Sequence, residues 1–255
     1  MARRGGQTID LSESSVAVTG GGGGLGGAIA LDLAACGATV FALDLAVALE
    51  RQRFGEGIVP VPVDLTDQAA VQQAYATVAS NVRQLDALVA SAGIQLHHQD
   101  GPLGEVSLET WQRTIDVNLT GAFLSVKHAL PLLLAAGSSS VVLIGSPTGL
   151  TMSGAGNAAY SASKAGMMAL GRTMAADYAA AGLRANVVVP GTMRTPLIEH
   201  LLADPQTRAA LLAGLPIGRL GEPDDLTGLV RWLVSAESRF ATGGFFAVDG
   251  GLTAR

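Results

Sequence analysis

The sequence predicts an α/β fold: a doubly wound parallel sheet of about seven strands between two layers of helices, forming a single domain. Short apolar segments alternate with longer helical stretches along all 255 residues, and neither an interdomain linker nor an internal repeat interrupts them. A glycine-rich turn joins the first strand to the first helix, and an acidic residue ends the second strand. Sheets of this kind bind ligands beyond the carboxyl ends of their strands, so we expect a site there.

The elements are placed by apolar strands and helix-forming stretches that follow one another in order. The predicted strands are residues 15–19, 38–43, 58–63, 86–90, 140–145, 184–189 and 244–248. The predicted helices are residues 28–35, 68–82, 108–134, 158–180 and 224–235. We expect residues 1–13 to form a loose amino-terminal arm and residues 14–255 to form the single domain.

The turn after the first strand contains the glycines that a phosphate-binding loop needs. Thr19 and Gly20 end the strand, and Gly24, Leu25 and Gly26 lead into a helix. Glycines let the backbone approach a pyrophosphate, and a helix N-terminus offers free N–H groups and a positive dipole end. So many glycines satisfy the dinucleotide motif in more than one register, but a flexible linker would not join an apolar strand to a helix. The segment therefore indicates a Rossmann-type, dinucleotide-binding domain.

Asp44 ends the second predicted strand, twenty residues beyond Gly24. A carboxylate there is placed to accept hydrogen bonds from the adenosine ribose hydroxyls, and it would repel a 2′-phosphate. We therefore expect NAD rather than NADP as the cofactor. Arg51 and Arg53 are close in sequence and could weaken that preference, although a solvated pair of side chains explains them equally well.

Tyr160 and Lys164 are four residues apart in a predicted helix, so their side chains share one face. A fixed ammonium favours the phenolate and should lower the pKa of Tyr160 from about 10 toward 7. Such a phenol is a general acid/base for an alcohol oxygen. Only two of the sixteen basic residues are lysines, which suggests a position that needs a compact charge. A solvated lysine beside a packed tyrosine is the alternative.

With these features the chain resembles the short-chain dehydrogenase/reductase family over essentially its whole length. The matching motifs are Thr19-Gly20-x-x-x-Gly24-x-Gly26, Asn118, Ser146, Tyr160-x-x-x-Lys164, the segment 190–195 and the Val248-Asp249-Gly250-Gly251 tail. The departures are Ser91, where most members have asparagine, and Pro147, which follows the serine and removes a backbone donor.

The resemblance implies an NAD-dependent oxidoreductase that interconverts a secondary alcohol and a ketone. Tyr160 would exchange the alcohol proton, Ser146 would orient the oxygen, and Lys164 would lower the pKa of Tyr160 and hold the nicotinamide ribose. Asn118 would anchor a water that links Lys164 to solvent. The further cofactor contacts it implies are Asp64, Leu65, Ala92, Gly93, Pro190, Gly191 and Thr195.

Each of these residues also has a purely structural interpretation. Ser146 could cap a strand end, Asn118 could mark a helix kink, and Thr195 could be the N-cap before Pro196. These interpretations are reasonable one by one, but they are poor jointly in a chain that carries the glycine turn.

The substrate pocket is expected to be lined by residues 95–101 and 150–157 and by a substrate loop at about 192–215. Candidate contacts are Ser146, Asn157, Met193 and His97. Asn157 near Tyr160, together with few aromatic residues in these loops, favours a small polar substrate such as a polyol, sugar or hydroxy acid. His97 and His98 are adjacent, and neighbouring residues seldom face one ion, so we expect no metal. The alternatives are a 3-oxoacyl-thioester reductase and, in another class, a non-catalytic dinucleotide sensor.

Composition limits the partners. The formal net charge of −5 disfavours nucleic acid and an anionic membrane surface, and the single cysteine, Cys36, cannot form an internal disulfide. No stretch approaches eighteen uninterrupted apolar residues. We expect a cytoplasmic protein that acts on a small molecule. The small and apolar residues of the predicted helices 108–134 and 158–180 favour a homotetramer, as the resemblance also implies.

Overall fold

The computed structural model describes residues 9–151 and 156–254 and contains the expected parallel sheet. Its strands are β1 (Ser15–Thr19), β2 (Thr39–Asp44), β3 (Ile58–Pro62), β4 (Ala87–Ala90), β5 (Ser139–Ile144), β6 (Leu183–Pro190) and β7 (Phe245–Val248). Every neighbouring pair is parallel, and the spatial order is β3-β2-β1-β4-β5-β6-β7. The order reverses between β1 and β4, which opens a crevice at their carboxyl ends.

Helices cover both faces of this sheet. They are α1 (Gly24–Ala35), α2 (Ala46–Arg51), α3 (Gln68–Asn81), α4 (Leu108–Ile115), α5 (Gly121–Ala135), α6 (Pro147–Leu150), α7 (Ala158–Tyr178), α8 (Glu199–Leu202), α9 (Pro205–Ala213) and α10 (Asp224–Val234). The sequence pattern did not predict α2, α6, α8 or α9, because four to nine residues are too few to show a clear helical period.

Two apolar clusters lie on opposite faces of the sheet. Val16 and Val18 of β1 belong to the cluster covered by α1 and α10, whereas Ala17 between them belongs to the cluster covered by α3, α5 and α7. Successive strand residues point to opposite faces, so a strand buried on both sides is apolar throughout. This burial holds the carboxyl ends of the strands in fixed positions.

The end of the expected amino-terminal arm is not loose. Leu11 is 3% exposed and joins the cluster beneath α1, and its backbone N–H donates to the carbonyl of Cys36 at 2.9 Å. Ile9 packs against the same cluster. The expectation of a loose arm does not hold at Leu11, which is buried, or at Ile9, which is half-buried. Residues 1–8 lie outside the described part of the chain.

The helix predicted at 108–134 is divided. A π-helical turn, Asp116–Thr120, separates α4 from α5, and the N–H of Gly121 donates to the carbonyl of Asp116. Single π turns often occur at functional sites because they redirect one side chain. The stretch Leu108–Ala135 is also long and apolar enough to span a membrane by length and composition, with a hydropathy of 1.3. It packs on the sheet through Leu124, Ala129 and Leu133, so this apolar character is that of a core helix.

Candidate active site

The glycine turn lies in the crevice between β1 and β4. Gly20 has φ +71, and a Cβ there would lie 2.8 Å from the backbone nitrogen of Ala92, so only glycine fits. A Cβ on Gly26 would overlap the carbonyl of Gly20, so α1 packs tightly against the turn. In contrast, a Cβ on Gly24 would meet no described atom within 4 Å. The turn thus leaves open space in front of the first N–H groups of α1, as a pyrophosphate requires.

Asp44 is half-buried at the end of β2 and faces this turn. Its Oδ2 accepts the N–H of Gly22 at 3.0 Å, and its Oδ1 accepts the N–H of Leu45 at 2.8 Å. These bonds hold the carboxylate in one orientation and leave lone pairs for hydroxyl donors. Turn and carboxylate together fit a dinucleotide with a free adenosine ribose.

The other predicted cofactor residues lie at the same edge of the sheet. Thr19 Oγ1 accepts the N–H of Ala92 at 3.4 Å, which ties β1 to β4 across the crevice. Leu65 is buried, whereas Asp64 is exposed and accepts hydrogen bonds from Thr66.

Beyond β6, the backbone approaches the carboxyl-terminal segment. Gly191 donates its N–H to the carbonyl of Val248 at 3.0 Å, and a Cβ on Gly191 would lie 2.6 Å from the Cα of Asp249. Thr195 is not a helix N-cap, because α8 begins only at Glu199. The segment from Pro190 to Thr195 therefore follows the sheet edge without a helix of its own.

Ser146 follows β5 and is 8% exposed. It is the N-cap of α6 and accepts the N–H of Thr148 at 3.4 Å, while its hydroxyl lies 3.1 Å from the hydroxyl of Thr148. Pro147 occupies the first position of this helix, where a backbone donor would have no intrahelical partner. The proline therefore costs no hydrogen bond. It presets the turn that presents Ser146.

Lys164 and Tyr160 lie on one face of α7, with the Lys164 ammonium 5.6 Å from the centre of the Tyr160 ring. Lys164 is only 4% exposed, and its Nζ donates to the carbonyl of Ile144 at 2.9 Å. A lysine this deeply buried is not a solvated surface charge, so the structural alternative for this pair fails.

The pKa values correct one expectation from the sequence. Burial raises the pKa of Tyr160 to about 12, and a hydrogen bond to Ser146 acts in the lowering direction. Burial also lowers the pKa of Lys164 to about 8. The expected low pKa of Tyr160 is therefore not a property of the protein alone, because burial outweighs the hydrogen bond to Ser146.

Asn118 lies in the π-helical turn and is fully buried. Its Oδ1 accepts the N–H of Ile94 at 2.7 Å, and its Nδ2 donates to the carbonyl of Ile94 at 2.9 Å and to Ser163 Oγ at 3.1 Å. A Cβ on Gly93 would lie 3.3 Å from Asn118 Oδ1 and 3.6 Å from Lys164 Nζ. Asn118 thus joins the end of β4 to α7 beside the lysine. Its predicted role in holding a water stays a prediction.

Asp100 is a site residue that the sequence did not reveal. It is 8% exposed, and its carboxylate accepts the N–H groups of Ala159 at 3.1 Å and Tyr160 at 2.9 Å. An acid from the loop after β4 therefore caps the helix that carries Tyr160. The Asp100-Gly101 pair was the only local signal, and it indicates no more than a turn.

The predicted substrate contacts differ in placement. Asn157 is half-buried, and its Oδ1 accepts a hydrogen bond from Gln95 Nε2 at 2.9 Å. Met193 is 6% exposed in a core cluster and lines a cavity of about 180 Å³ with Leu215 and Ile217, so it packs as a core residue. His97 is half-buried beside His200. Met152, in the expected lining 150–157, lies outside the described residues.

Comparisons with known proteins agree with this geometry. A family model described as enoyl-(acyl carrier protein) reductase matches residues 20–253. The cis-4-hydroxycyclohexanecarboxylate dehydrogenase of Sinomonas cyclohexanicum is 40% identical over 96% of this chain and 98% of its own length. A 3-oxoacyl-[acyl-carrier-protein] reductase of Synechocystis is 36% identical over 95% of this chain and 98% of its own.

A solved structure has the same fold. It is a putative NAD(P) dependent gluconate 5-dehydrogenase from Beutenbergia cavernae with bound NADP at low occupancy. Its TM-score is 0.89 at 33% identity, over 96% of this chain and 99% of that one.

Proposed function

Because the chain belongs to the short-chain dehydrogenase/reductase family and is an NAD(P)-dependent oxidoreductase acting on CH–OH groups, we propose that it oxidises a small polar secondary alcohol with NAD. The observation that carries the cofactor preference is the Asp44 carboxylate, held by the N–H of Gly22 at the end of β2. The observation that supports the chemistry is the joint placement of Ser146, Tyr160 and Lys164.

The proposed mechanism assigns one task to each side chain. Ser146 donates a hydrogen bond to the alcohol oxygen and keeps it beside the phenol of Tyr160. Tyr160, as phenolate, takes the hydroxyl proton while the carbinol carbon loses a hydride. NAD, when bound, supplies the hydride acceptor and a positive charge that favours the phenolate. Lys164 adds a second charge, and Asn118 holds the end of β4 against the lysine.

The proposed preference for NAD over NADP follows from the negative charge and the fixed position of the Asp44 carboxylate. A 2′-phosphate would place negative charge beside a carboxylate that two backbone bonds hold in place. Arg51 and Arg53 are exposed and could favour NADP only by reaching past Asp44. The gluconate 5-dehydrogenase structure with bound NADP shows that the same fold accepts the phosphorylated cofactor.

The cofactor experiment compares kcat/KM for NAD and NADP in the wild type and in Asp44→Ser. We expect the wild type to favour NAD by at least about tenfold, equivalent to roughly 1.4 kcal/mol, and the variant to lose most of that preference. Asp67→Ser is the matched control, because Asp67 is also an aspartate near a strand end but is exposed and only caps α3. Equal use of both cofactors by the wild type would contradict the proposal.

Substrate class is supported by side chains of the rim. Asn157, Gln95 and three histidines are polar, and the loops that carry them have few aromatic residues to line a steroid-sized pocket. The relative named cis-4-hydroxycyclohexanecarboxylate dehydrogenase and the neighbour that is a putative gluconate 5-dehydrogenase support the same class. We therefore assign a polyol, a sugar or a hydroxy acid as substrate, to be tested by NADH formation at 340 nm across these classes.

A 3-oxoacyl-thioester reductase is the second candidate, and the 36% identical Synechocystis enzyme favours it. Asp44 and the net charge of −5 argue against it, because a phosphorylated cofactor and an acidic carrier protein both prefer positive surfaces. Reduction of an acetoacetyl thioester by NADPH, faster than any alcohol oxidation, would select this alternative. A non-catalytic sensor is disfavoured because Ser146, Tyr160 and Lys164 are all present.

Assembly and location are part of the proposal. We assign a homotetramer, supported by the half-exposed Phe123 on α5 and the small residues Ala165 and Ala169 exposed on α7. A monomer mass in light scattering at micromolar concentration would contradict it. We place the protein in the cytoplasm, consistent with its free cysteine.

A further inference from the structure

Three of the four histidines form a cluster at the rim of the active site. The ring of His200, on α8 of the substrate loop, lies 5.0 Å from the ring of His97 and 5.4 Å from that of His98. His97 and His98 belong to the loop that follows β4. We call these three residues the histidine cluster. Two separate loops therefore meet through imidazoles, which no apolar packing requirement explains.

The cluster has an unmet hydrogen-bonding group. His97 Nε2 is buried and has no hydrogen-bond partner within the described part of the chain. Asp100 is the acid that acts on His97, but its oxygens already accept the N–H groups of Gly101, Ala159 and Tyr160. A buried polar atom normally has a partner, so one is missing here.

The hydrogen-bonding groups of the cluster, rather than its charge, fit a carboxylate as that partner. Burial lowers the pKa of His97, and the neighbouring His200 and His98 lower it further, while Asp100 raises it. On α8, Glu199 precedes His200 and is exposed. An imidazole N–H can donate to a carboxylate, whose oxygens only accept hydrogen bonds. Moreover, no group of three or more histidine, cysteine or acidic side chains among the described residues is arranged for a metal ion.

The cluster is close to the reacting position. Gln95 Nε2 donates to Asn157 Oδ1 at 2.9 Å, and Asn157 directly precedes the helix that carries Tyr160. His97 lies two positions after Gln95, a backbone span of at most about 7 Å. The loop continues to Asp100, whose carboxylate binds the N–H of Tyr160. A small substrate with its hydroxyl at Tyr160 can therefore extend toward the histidines.

We propose that the histidine cluster of His97, His98 and His200 binds the carboxylate of the substrate, so that the substrate is a hydroxy acid rather than a polyol or a sugar. This inference rests on the proposed oxidation of a secondary alcohol and narrows its substrate class. His97 is the central donor, because its buried Nε2 has no partner within the described part of the chain and its ring lies beside that of His200. His200 contributes from the substrate loop, so binding of the acid would draw that loop toward α7.

The test compares each hydroxy acid of the substrate panel with its primary amide, which keeps the skeleton but lacks the charge. Binding to the NADH-bound enzyme is measured by calorimetry, and turnover is measured separately. We expect at least one acid to bind at least tenfold tighter than its amide. His97→Gln and His200→Gln should each remove most of this difference while leaving amide binding unchanged. Gln retains a donor of similar reach but cannot become a cation.

His128→Gln is the matched control, since His128 lies on α5 away from the cluster and should keep the full preference for the acid. NADH binding shows that each variant is folded. Equal affinity for acid and amide, or equal loss of both in His97→Gln, would overturn the carboxylate site. If the enzyme oxidises only uncharged alcohols, the carboxylate site is overturned, whereas the proposed alcohol oxidation still holds. Loss of acid binding on addition of EDTA would instead indicate a bound metal and would also overturn it.

Discussion

The cofactor side of the rim and the substrate loop are built in opposite ways. On the cofactor side, Asp44 and Asn118 are held by backbone hydrogen bonds, and Asn118 and Lys164 are nearly inaccessible. In the substrate loop, α8 and α9 contain no buried residue. His200 of this loop meets the half-buried His97 and the exposed His98 of the loop after β4.

The difference separates two tasks. The chemistry needs groups held within a fraction of an ångström, so its residues are buried and tied to strands and to α7. Substrate choice needs side chains that can change and loops that can move. Those residues are exposed and carry little of the stability of the fold. The predictions below test this division, beginning with the largest expected effect.

The replacement Tyr160→Phe should abolish turnover, by a factor of about 10³ or more, because no other group exchanges the alcohol proton. NADH binding should survive, since the turn at Gly20–Gly26 is untouched. Turnover is followed at 340 nm, and NADH binding by its fluorescence. Tyr178→Phe, on the same helix, is the control and should keep normal activity. Activity of wild-type magnitude in the Tyr160 variant would mean that Tyr160 is not the group that exchanges the proton.

The replacement Lys164→Met should inactivate the enzyme, yet its cost in stability should depend on pH. The pKa of Lys164 is about 8 in the fold and about 10.5 when unfolded, so the unfolded chain binds more protons between these values. Wild-type stability should therefore rise relative to the variant as pH increases from 8 to 10.5. The change should reach about 2 kcal/mol between pH 7 and pH 10, measured by urea unfolding. If the difference in stability between wild type and variant does not change with pH, the fold does not lower the pKa of Lys164.

Replacing one aspartate in each region tests the comparison directly. Asp100 caps α7 beneath Tyr160, and Asp204 caps the exposed α9 by accepting the N–H of Thr207 at 2.8 Å. Asp100→Ala should lower kcat about tenfold or more, with an unchanged KM for NAD, because Tyr160 loses its fixed position. Asp204→Ala should lower stability only slightly, through loss of the helix cap, and leave kcat unchanged.

Steady-state kinetics and thermal unfolding measure both variants, and Asp100→Asn should recover part of kcat because its amide oxygen still caps the helix. Equal kinetic effects of the Asp100 and Asp204 variants would remove the distinction between the two regions. An effect of Asp100→Ala on stability alone would restrict that residue to capping.

Much of the fold could be predicted because its causes are local and repetitive. The strands are short apolar runs between helix-forming stretches, and β1 through β7 appear where the sequence pattern places them, within a residue or two. The glycine turn and Asp44 are visible because special backbone positions and a strand-end acid have few other uses. The four-residue spacing of Tyr160 and Lys164 is equally local, since one helical turn determines it.

Other features depend on contacts that no local pattern encodes. The π-helical turn at Asn118 arises where Ile94 and Ser163 bind the asparagine from two other elements. Leu11 is buried because it meets Cys36 and the cluster beneath α1, not because of its neighbours in sequence. The pKa of Tyr160 depends on its burial in the folded chain, which raises it, and on a hydrogen bond to Ser146 from another element, which lowers it.

The sheet, the glycine turn, the acid that ends β2 and the four-residue spacing of Tyr160 and Lys164 could all be predicted from the sequence, because each follows from spacing along one chain segment. In contrast, tertiary contacts place Asp100 at the N-terminus of α7 and His200 beside His97. Those residues lie 60 and 103 positions from their partners, and only the folded chain brings them within contact.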